Sequence, residues 1–435
     1  MAQLSCGLVL LVVCLKCVFA DEEPAYVPNE NFTVVYEWFK LDYAWQDDSS
    51  KAAALSAGRY IPEHNAPAGL SVFGSRVFVS VPRWLPGVPV TLAWLPSAGA
   101  TTASPKLHPF PSWEMQQAGN CSALQSVMSM EVDSIGRLWV VDAGRLNFRR
   151  AERPDYSRCP PKLVVFNLND NNRIEFSFDF PDSVASKNKS LLSDLVIDVS
   201  PGRQSDQDWF AYISDAGTGA IIVFSLSEKR AWRLADPSMG STKPEHEPPT
   251  LGLDLGISGI ALAPLREKSK TLYFSTLSST ELFSLPTSEL RDSATSKLSV
   301  KLVAKRSAPA RGLAMDSTGV MYFGLLGKHT VASWDTKKHF SESVAFTDQE
   351  RLQWPDSFAF DMSDNLWFVT SRLQNMLNRR LNLNEPNFRL IQANVGAKSY
   401  MYSDWTTDQP DTDGASSTLG MVTLVTSSLL LALLH

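Results

Sequence analysis

A β-hairpin pattern recurs along this chain of 435 residues, and it constrains the fold more than any other feature. In each copy, a strand of alternating apolar residues leads through a turn into a second strand that carries an aromatic residue. The clearest copies are Met130–Asp142, Leu313–Phe323 and Phe358–Thr370. Three looser copies are Leu70–Val81, Leu195–Ser214 and Ile260–Ser275. The copies lie roughly 45 to 65 residues apart, the period of a four-stranded propeller blade with insertions.

Six copies predict an all-β chain that folds as a six-bladed β-propeller. An aspartate opens the turn in each of the clearest copies: Asp133, Asp316 and Asp361. Its carboxylate is suited to accept backbone N–H bonds, and the residue three positions later tolerates the reversed backbone: Gly136, Gly319 and Asp364. The alternative is a β-sandwich, or two unrelated β domains, whose hairpins are similar by chance.

The later strands of a blade are clearest after the second copy, at Lys162–Leu168 and Arg173–Phe180. The last copy is followed by too few strands to complete a blade. The apolar, aromatic segment Asn31–Phe39 is predicted to supply the missing strand. The ring would then be closed by an N-terminal strand, which leaves no free sheet edge.

The two ends of the chain have the composition of processing signals. Residues 1–20 are predicted to be a secretory signal peptide, since Leu8–Val13 is apolar and the small residues Val18 and Ala20 precede Asp21. A membrane-spanning anchor is the alternative, although the apolar run is shorter than the roughly 20 residues that a span needs.

After the propeller, expected over residues 21–405, a polar linker (406–418) leads into a hydrophobic tail (419–435). This order of small polar residues and a terminal apolar segment without basic residues is typical of a GPI-attachment signal. A membrane helix, or neither of the two, stays open as an alternative. We expect a secreted protein, with a lipid anchor to the outer cell surface as one possibility.

Removal of the signal peptide leaves two cysteines, Cys121 and Cys159, and an even number in an oxidising compartment predicts one disulfide. Three sequons are acceptor sites for N-glycans: Asn31, Asn120 and Asn188. The sequence therefore predicts an exported glycoprotein.

Charge and motif content exclude several classes of function. The formal net charge is −6 and the chain has no basic run, whereas nucleic-acid binding requires clustered Lys and Arg. The histidines lack metal-ligand spacing, and no P-loop, dinucleotide fingerprint or hydrolase motif occurs. We expect no metal and no cofactor.

Several segments, in this order, resemble the insect yellow/major royal jelly protein family: Glu37–Trp45, Val81–Trp84, Leu138–Arg145, Ala211–Asp215 and Trp354–Phe358. The resemblance covers nearly the whole chain and implies a secreted six-bladed propeller. Members of the family are associated with cuticle pigmentation through the dopa–dopamine melanin route. Some look like dopachrome-converting enzymes, some bind biogenic amines, and some are nutritive or matrix proteins. No single catalytic signature carries over residue by residue.

Propeller geometry gathers the residues that follow each second strand around one mouth of the central channel. We expect Asp142 and Asp215 there as candidate catalytic bases. Candidate ligand-binding residues at the same mouth are Arg83, Trp84, Arg145, Ser275, Thr370 and Arg372. A carboxylate would pair with a ligand ammonium, and an aromatic face would contact a catechol or indole ring. In the alternative, these Asp and Arg side chains bond to one another and to loop amides.

Three functions stay open at this stage, and a role in pigment chemistry ranks first. An isomerase that converts dopachrome or dopaminechrome would need only one acid–base group and an Arg as oxyanion partner. A non-catalytic binder of biogenic amines or pigment precursors would use the same pocket. A structural cuticle or eggshell matrix protein would act through its surface.

Overall fold

The computed structural model describes residues 31–98, 104–147, 159–199, 209–241, 255–264 and 270–402. Their strands are β1 (Thr33–Trp38), β2 (Leu70–Phe73), β3 (Arg76–Ser80), β4 (Leu92–Pro96), β5 (His108–Pro109), β6 (Val127–Val132), β7 (Arg137–Asp142), β8 (Lys162–Asn167), β9 (Arg173–Asp179), β10 (Leu192–Asp198), β11 (Phe210–Asp215), β12 (Ala220–Ser225), β13 (Arg230–Leu234), β14 (Ile257–Leu262), β15 (Thr271–Thr276), β16 (Glu281–Pro286), β17 (Lys301–Lys305), β18 (Ala310–Met315), β19 (Val320–Leu325), β20 (Thr330–Asp335), β21 (Ser343–Thr347), β22 (Trp354–Phe360), β23 (Asn365–Ser371) and β24 (Phe388–Asn394). Short helices are α1 (Asp48–Ser56), α2 (Thr287–Arg291) and α3 (Leu373–Leu377).

Within the described ranges the strands form six antiparallel sheets of four strands, which confirms the six-bladed propeller. Blades 1 to 5 are β2–β5, β6–β9, β10–β13, β14–β17 and β18–β21. Blade 6 has the order β22, β23, β24, β1, so the N-terminal strand pairs with the last strand of the chain. This pairing confirms the predicted ring closure.

The first strand of each blade lies innermost, and each contacts the first strand of the next blade around a closed ring: β2, β6, β10, β14, β18 and β22. The inner strands approach each other closely at two glycines. A Cβ on Gly259 would overlap the carbonyl oxygen of Arg311, and one on Gly312 would overlap that of Asp356. Only glycine permits this spacing, because a methyl group would push adjacent blades apart.

The turn aspartates behave as the sequence predicts. Asp133 accepts hydrogen bonds from the backbone N–H of Ile135 and Arg137, at 3.1 and 2.8 Å, and Asp316 and Asp361 make the equivalent bonds in blades 5 and 6. The residues three positions later have positive φ, from 62° at Asp364 to 92° at Gly319. An indole N–H from the second strand also reaches the turn carboxylate in blades 2 and 6.

The predicted disulfide between Cys121 and Cys159 is present. The side chains of Asn31, Asn120 and Asn188 are exposed, and their glycosylation stays a prediction. The signal peptide, the polar linker and the hydrophobic tail lie outside the described residues. Among the helices of the described part, none has the length and apolar content needed to cross a membrane.

A candidate ligand site in the axial channel

Asp142, the last residue of β7, is buried and accepts three backbone N–H bonds. Its carboxylate lies 2.6 Å from the amide nitrogen of Gln125, 2.8 Å from that of Ser126 and 2.9 Å from that of Gly144. These bonds tie the loop before blade 2 to the end of the second strand, as expected of a structural carboxylate.

Asp215 holds the equivalent position at the end of β11. It accepts bonds from the amide nitrogen of Leu191 at 2.8 Å and from the hydroxyls of Ser190 and Thr218, both at 2.6 Å. The two carboxylates thus both hold loop groups at equivalent positions in adjacent blades. No observation tests their catalytic role, which stays a prediction.

Arg83 is buried, and its guanidinium is surrounded by backbone carbonyl groups. It donates to the carbonyl oxygens of Val88, Pro89, Gln116, Leu124 and Gln125 at 2.5 to 3.0 Å. Burial lowers its pKa to about 10, although the charge of Asp142 acts in the other direction. The guanidinium therefore joins loops of blades 1 and 2.

The other predicted ligand-binding side chains lie in different blades. Arg145 donates to the carbonyl oxygens of Lys189 and Ser190 at 3.2 and 3.3 Å. The Ser275 hydroxyl lies 3.5 Å from a carbonyl oxygen, and the Thr370 hydroxyl lies 2.6 Å from another. Arg372 forms an ion pair with Glu385. None of these four side chains lines either of the two channel compartments described below.

Buried apolar side chains gather on this face instead. One hydrophobic cluster contains a residue from the loops or strand ends of every blade: Trp84, Ala143, Leu191, Leu277, Leu326 and Trp354. Side chains from six blades meet only near the axis, so in the described part of the chain they form an apolar cap over the expected mouth. We call these six residues the apolar cap.

Beneath the cap, the inner strands carry a repeated irregularity. In five of the six, the pairing with the second strand shifts near the start of the strand: β6, β10, β14, β18 and β22. Such bulges re-aim side chains and are common beside functional sites. Polar residues at or next to the shifts line a narrow compartment of about 60 Å³: Ser129, Asp194, Ser258, Arg311 and Asp356.

Arg311 and Asp356 form an ion pair at the upper end of this narrow compartment. The Arg311 guanidinium also lies 5.9 Å from the ring centroid of Trp84 in the apolar cap. Burial raises the pKa of Asp356 and outweighs the opposing effect of Arg311. Arg311 therefore lies beside both the narrow compartment and the apolar cap.

Asp194 is the second carboxylate of the narrow compartment. It accepts bonds from the Ser129 hydroxyl and the Leu195 amide, both at 2.9 Å, and from the Ile260 amide at 3.1 Å. Burial nevertheless raises its pKa to about 6, against these bonds and the charge of Arg311. Its oxygens are engaged by three strands.

Glu131, on β6, lines the narrow compartment and also the larger space beyond it. Burial raises its pKa well above the ordinary value, and the negative charges of Asp194 and Asp133 add to the effect. A carboxyl group whose pKa is raised in this way keeps its proton to a higher pH than an ordinary glutamate does, and it can exchange that proton with a ligand. Glu131 is therefore the titratable group best placed for ligand chemistry.

The larger space, the wide compartment, has a volume of about 780 Å³ and opens on the face that carries the turns between first and second strands. This volume suits a small-molecule ligand. Turn residues of blades 1, 2 and 6 line it, together with the partly exposed aromatic rings of Phe73, Phe360 and Tyr402. The spacious end of the channel thus lies opposite the mouth that the sequence suggested.

The segment after the last blade strand borders both compartments. Tyr400 donates its backbone N–H to Met315 at 3.1 Å, and its hydroxyl bonds to both the N–H and the C=O of Ile197. Ser399 lines both compartments. The segment therefore crosses the channel from blade 5 to blade 3.

Sequence reasoning missed Glu131 and Asp194, although each carries a signal. Both are acidic residues in the first strand of a hairpin whose other residues are mostly apolar and buried. A carboxyl in such a strand must face solvent, the channel or a buried cation, as Asp198 at the end of β10 does with Lys270. Among the described residues, no three His, Cys, Asp or Glu side chains form a group able to hold a metal ion.

The fold and the channel define a six-bladed propeller with a polar axial pocket that widens toward one face. The family model described as major royal jelly protein matches residues 125–401. The chain is 30% identical over 409 residues to Protein yellow of Drosophila guanche, covering 89% of this chain and 69% of that protein. It is 29% identical over 380 residues to Protein yellow of Drosophila melanogaster, covering 82% and 68%. The chain belongs to the major royal jelly protein family and is a yellow-type protein.

Solved structures match this chain with low scores. Virginiamycin B lyase from Staphylococcus aureus covers 75% of this chain, over 95% of its own length, with a TM-score of 0.41 and 12% identity. A likeness this low carries no inference about activity.

Proposed function

We propose that this yellow-type protein acts outside the cell in pigment chemistry by binding a small catechol or indole amine in its axial channel. The observation that carries the proposal is the position of Glu131, the carboxyl that borders both the narrow and the wide compartment. Aromatic rings are available to contact the ligand ring, and a carboxylate is available for the ammonium.

Binding would couple to the titration of Glu131. An amine that pairs with this side chain favours its charged form, so a proton leaves as the ligand enters. Affinity should therefore rise as the pH rises toward the pKa of Glu131. The other charged groups near Glu131 are Asp133, Asp194 and Arg311, and the tyrosines at 400 and 402 stay neutral because burial raises their pKa values.

Isothermal calorimetry with dopamine and serotonin tests the proposal. We expect binding near one ligand per chain, with a heat that depends on the ionisation enthalpy of the buffer. Glu131→Gln should weaken binding by about tenfold to a hundredfold, the scale of a hydrogen bond to a charged group. Glu63→Gln, at an exposed residue that precedes blade 1, is the control and should leave affinity unchanged. The proposal fails if neither amine binds the wild-type protein.

Isomerisation of dopachrome is the second candidate, and the raised pKa of Glu131 favours it. A carboxylate with a raised pKa is a stronger base than an ordinary glutamate and can remove a proton from carbon, while a quinone oxygen of the substrate takes up a proton from solvent. The decay of dopachrome absorbance should be faster than with heat-inactivated protein, and Glu131→Gln should slow it. Asp142→Asn and Asp215→Asn test the other assignment; slowing by these variants alone would favour the loop carboxylates.

Export, glycosylation and a lipid anchor are part of the proposal. The Cys121–Cys159 disulfide supports an oxidising compartment. Release of the protein from cell surfaces by a phosphatidylinositol-specific phospholipase C would establish the anchor, and a mobility shift after glycosidase treatment would establish the glycans.

A further inference from the structure

The two compartments of the channel meet at a small set of residues. Glu131, Ala359, Phe360 and Ser399 line both the narrow and the wide compartment. A ligand whose ring occupies the wide compartment can therefore extend its polar end past Glu131 into the narrow one. The narrow compartment then decides which polar ends are accepted.

Three oxygen-bearing side chains of the narrow compartment have unused hydrogen-bonding capacity. The hydroxyl oxygens of Ser258 and Ser399 are buried and have no partner among the residues that the structure describes. The carboxyl group of Glu131 likewise accepts no hydrogen bond from a described residue, and it is only partly exposed. Buried polar groups are normally satisfied, so unpaired ones along a channel point to a bound partner.

The remaining charged groups of the compartment are already paired. Asp194 accepts three hydrogen bonds, and Arg311 pairs with Asp356. The free set therefore includes the carboxyl of Glu131 and the two fully buried hydroxyls of Ser258 and Ser399. A primary ammonium has three N–H donors and no acceptor, so it can donate to all three of these groups.

The size of the compartment adds a second restriction. Its volume of about 60 Å³ is enough for a few groups the size of a water molecule. Each N-methyl group enlarges the head and removes one donor. A quaternary ammonium has no N–H at all, so it would leave both serine hydroxyls unpaired.

Building on the proposed amine-binding function, we propose that the narrow compartment selects primary ammonium groups over N-methylated ones. Glu131 provides the charge, Ser258 and Ser399 accept N–H hydrogen bonds, and the walls exclude methyl groups. The ligand class is a primary aryl-alkyl amine.

The test is calorimetric titration of the intact secreted protein with tyramine and its N-methyl, N,N-dimethyl and N,N,N-trimethyl derivatives. Affinity should fall at each step, by about twofold to tenfold per lost donor. Equal affinity for all four ligands would overturn this inference and leave the proposed amine-binding function intact. Absence of binding by all four would overturn both.

Substitutions locate the selectivity. Ser399→Ala should reduce tyramine affinity by about twofold to tenfold and leave the trimethyl derivative unaffected, because that ligand donates no hydrogen bond. Val196→Ala, at a buried residue that lines the narrow compartment, should raise the affinity of the dimethyl derivative relative to tyramine. The inference is wrong if both variants keep the wild-type ratio of affinities. If a variant does not fold, the ligand series on the wild-type protein still tests whether the narrow compartment selects primary ammonium groups.

Discussion

Asp194 makes the stability of the protein depend on pH in an unusual direction. Its pKa is raised from 3.8 in the unfolded chain to about 6 in the folded one, because burial penalises its charge. The unfolded chain therefore releases this proton at a lower pH than the folded chain. The stability contributed by the neutral carboxyl is fully present below about pH 4 and is lost as the pH rises through about 6. At 1.36 kcal/mol per pH unit the total loss is about 3 kcal/mol.

Asp194→Asn removes this titration. The quantity to follow is the difference in free energy of unfolding, wild type minus variant. We expect this difference to fall by about 2 kcal/mol between about pH 4.5 and about pH 7.5, because this part of the total loss occurs within that pH range. An amide makes weaker hydrogen bonds than a carboxyl at this position, but this loss does not depend on pH. It therefore cancels when the difference at one pH is compared with the difference at another. Urea unfolding followed by tryptophan fluorescence gives both free energies, with refolding to establish reversibility.

Asp361→Asn is a matched control with the opposite sign. Burial raises the pKa of Asp361, but hydrogen bonds from Trp367, Asn365 and Ser363 outweigh it and lower the pKa. Its contribution is therefore fully present above the unfolded pKa and is lost as the pH falls through the folded one. The free energy of unfolding of the wild type minus that of Asp361→Asn should rise between about pH 3 and about pH 5 and change little above that range. Slopes of the same sign for the two variants, or no slope for Asp194→Asn, would refute the reasoning.

Two further predictions concern the frame around the channel. Gly312→Ala should lower the free energy of unfolding by about 1–3 kcal/mol or more, because its Cβ would overlap the backbone carbonyl of Asp356. Gly240→Ala is the control and should cost much less in the same thermal melts, because the nearest neighbour of its Cβ would lie at 3.3 Å. Replacing Cys121 and Cys159 together by Ser should lower the free energy of unfolding by about 2–4 kcal/mol, since the bridge spans a separation of 38 residues; unchanged unfolding in urea would contradict this.

The ring could be predicted from the sequence because its units are local. A turn aspartate, a residue that accepts positive φ three positions later and an aromatic second strand all lie within one hairpin, as at Asp133, Gly136 and Trp139. Each hairpin predicts one blade, and six hairpins predict a six-bladed ring. The closing strand β1 could be predicted by counting strands. The last blade lacked one strand, and the N-terminal segment was left to supply it.

The candidate site was less predictable because it depends on packing among six blades. The rule that gathers residues after each second strand at one face holds, but it does not say whether the space between them is open. Trp84, Leu277 and Leu326 belong to one buried apolar cluster on that face, and their apolar character is ordinary in a loop beside a core. Asp142 and Asp215 are distinctive in sequence, and they use their oxygens to hold loop amides.

The bulges in the inner strands explain how polar groups reach the axis of an otherwise apolar ring. In a regular strand, alternate residues face opposite sides, so one inserted residue changes which side chains face the channel from that point on. The insertions lie at nearly the same height in five strands, and three of the inserted positions carry Ser258, Arg311 and Asp356. Repeating the irregularity places several polar groups in one layer, where they can pair with one another. Glu131 lies one step further along its strand and has no such pair among the described residues, which is why it is the group left to meet a ligand.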